Sequence, residues 1–278
     1  FPTPLRVKYL YDIRRHRLCR EIIATRVTNS MINRVGSTFV TEYMEKTGKS
    51  APHIARAYII AREVFRLRDL WGAIEKLDNR VPTSAQAAMI IDSNHLIEWV
   101  TLWFLRNGKP GLDIGTHVKE FRDGIATLAD GLSGALPRHY LLDIKKRAQP
   151  YIDQGVPEAL ALRIGNLVNL YSGCDIVRLA NRRKLKVLNV ARMYFAVGTR
   201  FHLGHLRGAA ETMGADSHWQ QLAVAALIEE IYSHQLALSR QVLDFADGKW
   251  DPEKVITAWA AKNQATVEAT DQLLSELW

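Results

Sequence analysis

The chain has 278 residues, 47% of them hydrophobic, which is enough apolar material for one large core or two medium ones. Its formal net charge is +8, and basic surfaces can steer a protein to nucleic acid or anionic lipid. No apolar run approaches the ~20 residues of a membrane-spanning helix, the opening FPTPLRVKY lacks a signal-peptide core, and two cysteines, Cys19 and Cys174, give no disulfide framework.

Those two cysteines suggest a reducing compartment, and both are expected to be buried as small hydrophobes. The sequence starts at Phe1 and stops at Trp278 inside a helical pattern, so both ends read as cuts in a longer protein. The first basic cluster is Arg14, Arg15, Arg17 and Arg20. Others follow at Lys145–Arg147 and at Arg178, Arg182–Lys184 and Lys186. They are interleaved with apolar positions and carry no aromatic-basic stacking motif. Solvated helix faces, or contacts to acidic parts of a larger protein, are therefore expected in preference to nucleic acid.

Arg20–Phe39 (REIIATRVTNSMINRVGSTF) has a helix's period. Ile23, Val27, Met31 and Val35 form an apolar column at i, i+4 steps. Thr25, Asn29 and Asn33 form a polar column beside it. Asn and Thr compete for backbone hydrogen bonds and are poor helix-interior residues. Two readings stay open: the column bonds something packed against it, or it is a polar edge facing water.

The period remains helical along the chain and no segment reads as a strand, so the fold is expected to be all-α and multi-helical, without a Rossmann domain. Pro4, Pro52, Pro82, Pro157 and Pro252 each precede or open an apolar-periodic run, where proline costs least. Ser50 is a candidate cap two residues before Pro52. Leu77–Pro82 (LDNRVP) is dense in polar residues at a helix–helix joint, and Asp78 or Asn79 is expected to satisfy helix-end groups. Asn107–Gly115 (NGKPGLDIG) is a loop signal, and Gly131–Pro137 is a second weak region. Near the end, Gly248 can close one helix, Asp251 can cap the next, and Pro252 suits its first turn.

An internal repeat runs through this pattern. Ile54–Leu77 (IARAYIIAREVFRLRDLWGAIEKL) aligns without a gap on Val190–Met213 (VARMYFAVGTRFHLGHLRGAAETM) at an offset of 136, with nine of 24 positions identical. Chance at average composition gives about one or two. Each copy is a helix, a short break near Arg66 or His202, and a second helix. A long helix follows each, over Pro82–Arg106 and Ser217–Phe245. Two related helical subdomains are expected, at residues 1–107 and 157–247, joined by a connecting region at 108–156 and followed by a C-terminal helix at 248–278. Tyr58 and Tyr194 recur as core residues whose hydroxyls should be satisfied. Arg56 and Arg192 recur with Glu75 and Glu211, which suggests an ion pair in each copy.

The residues offer no obvious chemistry. There is no Gly-x-Gly-x-x-Gly between a strand and a helix, no phosphate loop and no nucleophile elbow. His95…Glu98, His202…His205 and Glu230…His234 lack the matching second half that a di-metal helical site needs. No catalytic, cofactor-binding or metal-ligating residue is assigned.

Arg20–Phe39, Ala55–Phe65 (ARAYIIAREVF) and Leu70–Pro82 (LWGAIEKLDNRVP) together resemble the C-terminal helical region of the large bacterial NAD-dependent glutamate dehydrogenases. Asp175–Val177, Val190–Tyr194 (VARMY) and His218-Trp219 are similar too. The resemblance is dense over about 15–82, moderate over 157–245, and weak over 108–156 and after 248. It implies a cytoplasmic, homo-oligomeric parent enzyme that oxidises L-glutamate to 2-oxoglutarate and ammonium with NAD. It also implies that the catalytic, NAD-binding domain lies upstream in the same polypeptide, so this chain would bind no cofactor itself. Its expected role is a non-catalytic module that packs on that core or helps assemble the oligomer. Thr25, Asn29, Asn33, Arg34, Asp78, Asn79 and Arg80 are the candidate contact residues. No membrane or nucleic-acid partner is expected. The alternatives are a stand-alone helical scaffold or interaction module, a helical enzyme with an unrecognised pocket, and a nucleic-acid-binding protein.

Overall fold

A computed structural model describes residues 3–214, 217–246, 248, 250–265 and 267–268. Among these every regular element is a helix, so the all-α expectation holds. No described helix is long and apolar enough to cross a membrane. The chain divides into two compact units, residues 1–120 and 121–278.

The first unit contains α1 (Thr3–Lys8), α2 (Leu10–Arg15), α3 (Cys19–Val35), α4 (Phe39–Thr47), α5 (Ala51–Val64), α6 (Leu67–Glu75), α7 (Thr83–Asn107) and the start of α8 (Ile114–Gly131). Helix α5 is its centre and packs against α3, α4, α6 and α7. Ile54, Ala57, Tyr58, Ile60 and Ala61 are all fully buried, more than the one apolar stripe of a surface helix. Helix α7 answers with Ala85, Met89, Ser93, Leu96, Val100 and Phe104, spaced three or four apart and all buried. Its two buried hydroxyls are satisfied within the unit. Thr101 donates to the Ile97 carbonyl at 2.6 Å, and Ser93 donates to that of Ile90 at 2.7 Å while accepting from Trp71 Nε1 at 2.9 Å.

The Asn107–Gly115 segment is a compact turn folded onto this unit. His117, 2% exposed, holds it. Its Nε2 accepts the Lys109 amide at 3.0 Å and its Nδ1 lies 2.7 Å from the Asp113 carbonyl, an arrangement that suits the neutral ring with the proton on Nδ1. Arg56 donates to the Gly111 carbonyl at 2.9 Å from the other side.

The second unit contains the rest of α8, α9 (Arg138–Asp153), α10 (Glu158–Gly165), α11 (Gly173–Arg183), α12 (Val187–Arg200), α13 (Leu203–Thr212), α14 (His218–Phe245) and α15 (Pro252–Lys262). Helix α12 packs against α11, α13, α14 and α15, burying Val190, Ala191, Met193, Tyr194 and Val197. A buried polar relay ties these helices together. Gln235 Nε2 donates to the Tyr194 carbonyl at 2.9 Å, and Gln235 Oε1 accepts from Arg207 at 2.6 Å. The Arg207 guanidinium lies 4.5 Å from the Tyr232 ring centre. Burial pushes the Tyr232 phenol up to about 12 despite that neighbouring charge.

The predicted stops are physical ones. Arg66 and His202 both adopt left-handed backbone, at φ 51° each, between paired helices. Gly248 is left-handed at φ 78°, and Asp251 accepts the Lys254 amide at 3.3 Å as the cap of α15. Ser50 occupies the N-cap position of α5, but its hydroxyl meets His53 Nδ1 at 2.9 Å instead of a backbone amide. Ser217 forms a reciprocal capping box with Gln220 that the sequence reading did not single out.

The helix–break–helix geometry recurs at the spacing of the sequence repeat. Helices α5 and α12 are both 14 residues long, and each is followed by one left-handed residue and a shorter helix. Tyr58 and Tyr194 are buried with satisfied hydroxyls, Tyr58 on Ser30 and Tyr194 on Ser172. The paired ion bridges do not form. Glu75 takes Arg34 instead, Arg56 goes to the Gly111 carbonyl, and Arg192 is exposed with no bond to Glu211 among the described residues. Cys174 is buried as expected, whereas Cys19 is only half-buried at the start of α3.

Candidate functional site

Helix α3 is where the structure departs most from an ordinary packed helix. Of its 17 residues only Met31 is fully buried. Val27 and Val35 are half-buried, so the predicted apolar column meets the core only along its C-terminal part. Ile22 and Ile23 are each 57% exposed. The first 44 residues hold ten of the sixteen large apolar side chains exposed among the described residues, including Val7, Tyr11 and Leu18. Apolar side chains exposed singly need no explanation, whereas a contiguous apolar patch on a monomer is uncommon.

Charge concentrates in the same place. Residues 1–35 carry eight Lys and Arg against one Asp and one Glu, +6 of the chain's +8. Beside α3 lies an open groove of about 460 Å³, walled by α3, α5 and α6. Its charged lining is four arginines, Arg26, Arg34, Arg62 and Arg68. Asn29, Asn33, Ile22 and Ile23 complete the α3 wall.

The sequence builds this groove from packing inward. Trp71 on α6, 4% exposed, is fixed by its bond to Ser93 on α7. The Arg34 guanidinium sits 4.6 Å from the Trp71 ring centre and also pairs with Glu75. Stacking over Trp in this range is favourable, and the tryptophan thereby positions the arginine. Deeper in, Arg62 is 7% exposed. It bonds Ser30 Oγ at 3.3 Å and pairs with Glu63 at 2.9 Å, and its guanidinium lies 5.8 Å from the Tyr58 ring centre. Glu63 also meets Arg68 at 3.3 Å. Burial raises the Tyr58 phenol above its ordinary value, with the Ser30 bond and the nearby arginines pulling the other way. A carboxylate shared by two arginines orients both, as a buried charge requires.

The candidate contact residues divide into two sets. Thr25, Asn29 and Asn33 are all exposed and bond no other side chain among the described residues, so nothing within this unit packs on the polar column. Asn29 and Asn33 line the groove with Arg34. Thr25 lines a shallower depression of about 350 Å³ further along α3, which shares Ile22, Arg26 and Asn29 with it. Asp78, Asn79 and Arg80 lie on an exposed turn between α6 and α7, outside the groove lining. Asp78 and Asn79 do not cap helices with their side chains. Asn79 contributes a left-handed turn at φ 59°, and Gln86 Nε2 satisfies the Ile74 carbonyl at 3.0 Å instead. The groove residues missed in the sequence, Arg26, Arg62 and Arg68, stand on three different helices. No local spacing joins them.

No group of three or more His, Cys, Asp or Glu that could hold a metal occurs among the described residues. Glu230 and His234 form an exposed pair at 3.4 Å along one helix. The groove is lined by arginines, amides, apolar side chains and the Ser30 hydroxyl, with the Glu63 and Glu75 carboxylates paired to three of the arginines.

The class of protein is thus an all-helical region with an arginine-lined groove beside α3. The model of the family described as "Glutamate dehydrogenase, C-terminal" matches residues 1–278, and the chain belongs to that family. It is 34% identical to the NAD-specific glutamate dehydrogenase of Pseudomonas aeruginosa and 32% identical to that of Halomonas elongata, each over 277 residues. It is 26% identical to the NAD-specific glutamate dehydrogenase of Mycobacterium tuberculosis over the same length. In each case the match covers all of this chain but only 17% of the relative. The chain therefore corresponds to a C-terminal part of a large glutamate dehydrogenase.

Proposed function

We propose that this region is a non-catalytic helical module of a NAD-specific glutamate dehydrogenase, docked through α1–α3 on the catalytic part of the same polypeptide or supporting assembly of a homo-oligomer. The parent reaction is oxidation of L-glutamate with NAD and water to 2-oxoglutarate, ammonium and NADH, in a cytoplasmic enzyme. The catalytic part supplies NAD binding and the chemistry; this region supplies contact surface. The observation that carries this reading is the coincidence, within the first 44 residues, of most of the large apolar side chains exposed among the described residues with most of the net charge. Such a surface is costly to leave in water and complementary to an acidic, partly apolar face. The matched relatives are about six times longer than this region, as the 17% coverage requires, so they contain ample chain to cover it.

The recurrence of helix lengths, left-handed breaks and buried tyrosines at one offset supports descent of the two segments from a duplicated unit.

Incubating the 278-residue polypeptide with glutamate and NAD is expected to yield no NADH above the buffer rate, while the full-length enzyme turns over. NADH formation by the isolated region at a rate comparable to the full-length enzyme would refute the proposal.

A further inference from the structure

We infer that the groove beside α3 receives a carboxylate-bearing segment, flanked by apolar side chains, from the polypeptide that precedes this region in the full-length protein. The inference rests on the docking reading above and specifies its chemistry.

The groove's charge is unbalanced. Its lining contains no carboxylate. Arg62 and Arg68 share Glu63, and Arg34 has Glu75. Arg26 has no carboxylate partner among the described residues and stands on the ridge where the groove and the shallower depression meet. Four guanidiniums stand against Glu63 and Glu75, and Glu21 lines the shallower depression alongside Arg26, which leaves room for about one more acidic group. An arginine's planar fork suits a carboxylate in two-point contact. Asn29 and Asn33 add donors and acceptors on the same wall, and Ile22 and Ile23 supply apolar surface. The two depressions run along α3 and share three residues, which fits an extended segment laid along the helix better than a compact ion.

Two other polyanions fit less well. Single-stranded nucleic acid needs exposed aromatic platforms for its bases, and the groove's one aromatic ring, Trp71, is 4% exposed and already covered by Arg34. An anionic lipid surface recruits clusters of several basic residues by their charge, whereas three of these four arginines are already tied to carboxylates. The occupant's source follows from the comparison. The matched region is the C-terminal one, and most of each relative lies outside it.

The test uses the full-length enzyme with a photo-crosslinking amino acid in place of Asn29, and in a separate variant in place of Val7 on α1. Peptide mapping is expected to find Asn29-position crosslinks to a segment of the preceding polypeptide containing Asp or Glu. Arg26→Glu should lower that crosslink yield on the order of tenfold, the scale of one lost charge-assisted pair. Arg26→Gln should lower it less, and reversing the crosslinked acid to Lys should restore it in the Arg26→Glu background. Unchanged circular dichroism would show that the exposed substitutions leave the fold intact. Crosslinks from the Val7 position to the preceding polypeptide, with Asn29-position crosslinks to an acid-free segment or insensitive to Arg26→Glu, would overturn this inference while sparing the docking reading. Crosslinks from both positions only to a second copy of this region would overturn this inference, and absence of crosslinks from both positions to the preceding polypeptide and to a second copy would overturn both readings. Asn29-position crosslinks to copurifying nucleic acid or lipid instead would overturn the assignment of the occupant.

Discussion

Trp71→Ala is expected to lower the unfolding free energy of the residue 1–120 unit by about 3–5 kcal/mol, the usual cost of emptying a buried tryptophan site. Trp71 is 4% exposed and reaches across to α7, where its ring nitrogen bonds Ser93. Truncation removes the apolar contacts and leaves the Ser93 hydroxyl without its incoming donor, although Ser93 keeps its own bond to Ile90. It also removes the surface on which Arg34 lies. Trp71→Phe keeps much of the buried area but not the hydrogen bond, and should recover more than half of the loss. Urea unfolding followed by circular dichroism measures both. A loss below about 0.5 kcal/mol for the alanine variant, the range of ordinary surface changes, would mean that Trp71 is not the joint between groove and core.

Gly165→Ala should destabilise the second unit by about 1–3 kcal/mol, and Gly165→Val by more. Glycine is a poor helix residue, so alanine in a helix normally gains about 1 kcal/mol. Here the added Cβ would lie 2.6 Å from the Ile144 carbonyl oxygen and 3.3 Å from the Ala148 amide nitrogen. Both atoms belong to the backbone of α9, which cannot give way without moving the whole helix off α10. Gly72 in α6 is the contrasting case, because a Cβ there meets nothing within 4 Å. Gly72→Ala is expected to be neutral or stabilising. If both alanine variants shift stability in the same direction by similar amounts, close approach of α9 and α10 is not what Gly165 provides.

Most of the local architecture was legible because it is written in short-range signals. The long helices after Pro82 and Ser217, the breaks at Arg66 and His202, and the restart at Asp251-Pro252 all follow from periodicity and from what proline, glycine and cap residues do to a backbone. Pairings between distant residues were not legible. Arg34 and Glu75 are 41 positions apart, Gln235 and Tyr194 also 41, and nothing local selects those partners. The recurrence of Arg56 with Glu75 suggested the wrong pair for that reason. Periodicity also identifies an apolar column without saying what it faces. Ile23 and Met31 belong to one column of α3, yet Met31 is 5% exposed and Ile23 57%. The N-terminal half of such a column can await a partner outside the unit while the other half fills its core. Of the candidate contact residues, Asn29, Asn33 and Arg34 line the groove, Thr25 lies just beyond it, and Asp78–Arg80 fall on a separate turn.

The central claim is that α1–α3 form a contact surface in the intact enzyme. Amide hydrogen exchange compares it directly between the full-length protein and the 278-residue polypeptide. Helices with few buried contacts open locally at low free energy, and covering them raises that energy. In the isolated polypeptide α2 has no buried residue and α3 has one, so their amides should exchange quickly. Docking predicts exchange slowed by on the order of tenfold or more over residues 3–35 in the full-length protein, for about 1.4 kcal/mol of added protection, while the buried cores of α5 and α12 change little. Equal exchange over residues 3–35 in the two proteins would contradict the account.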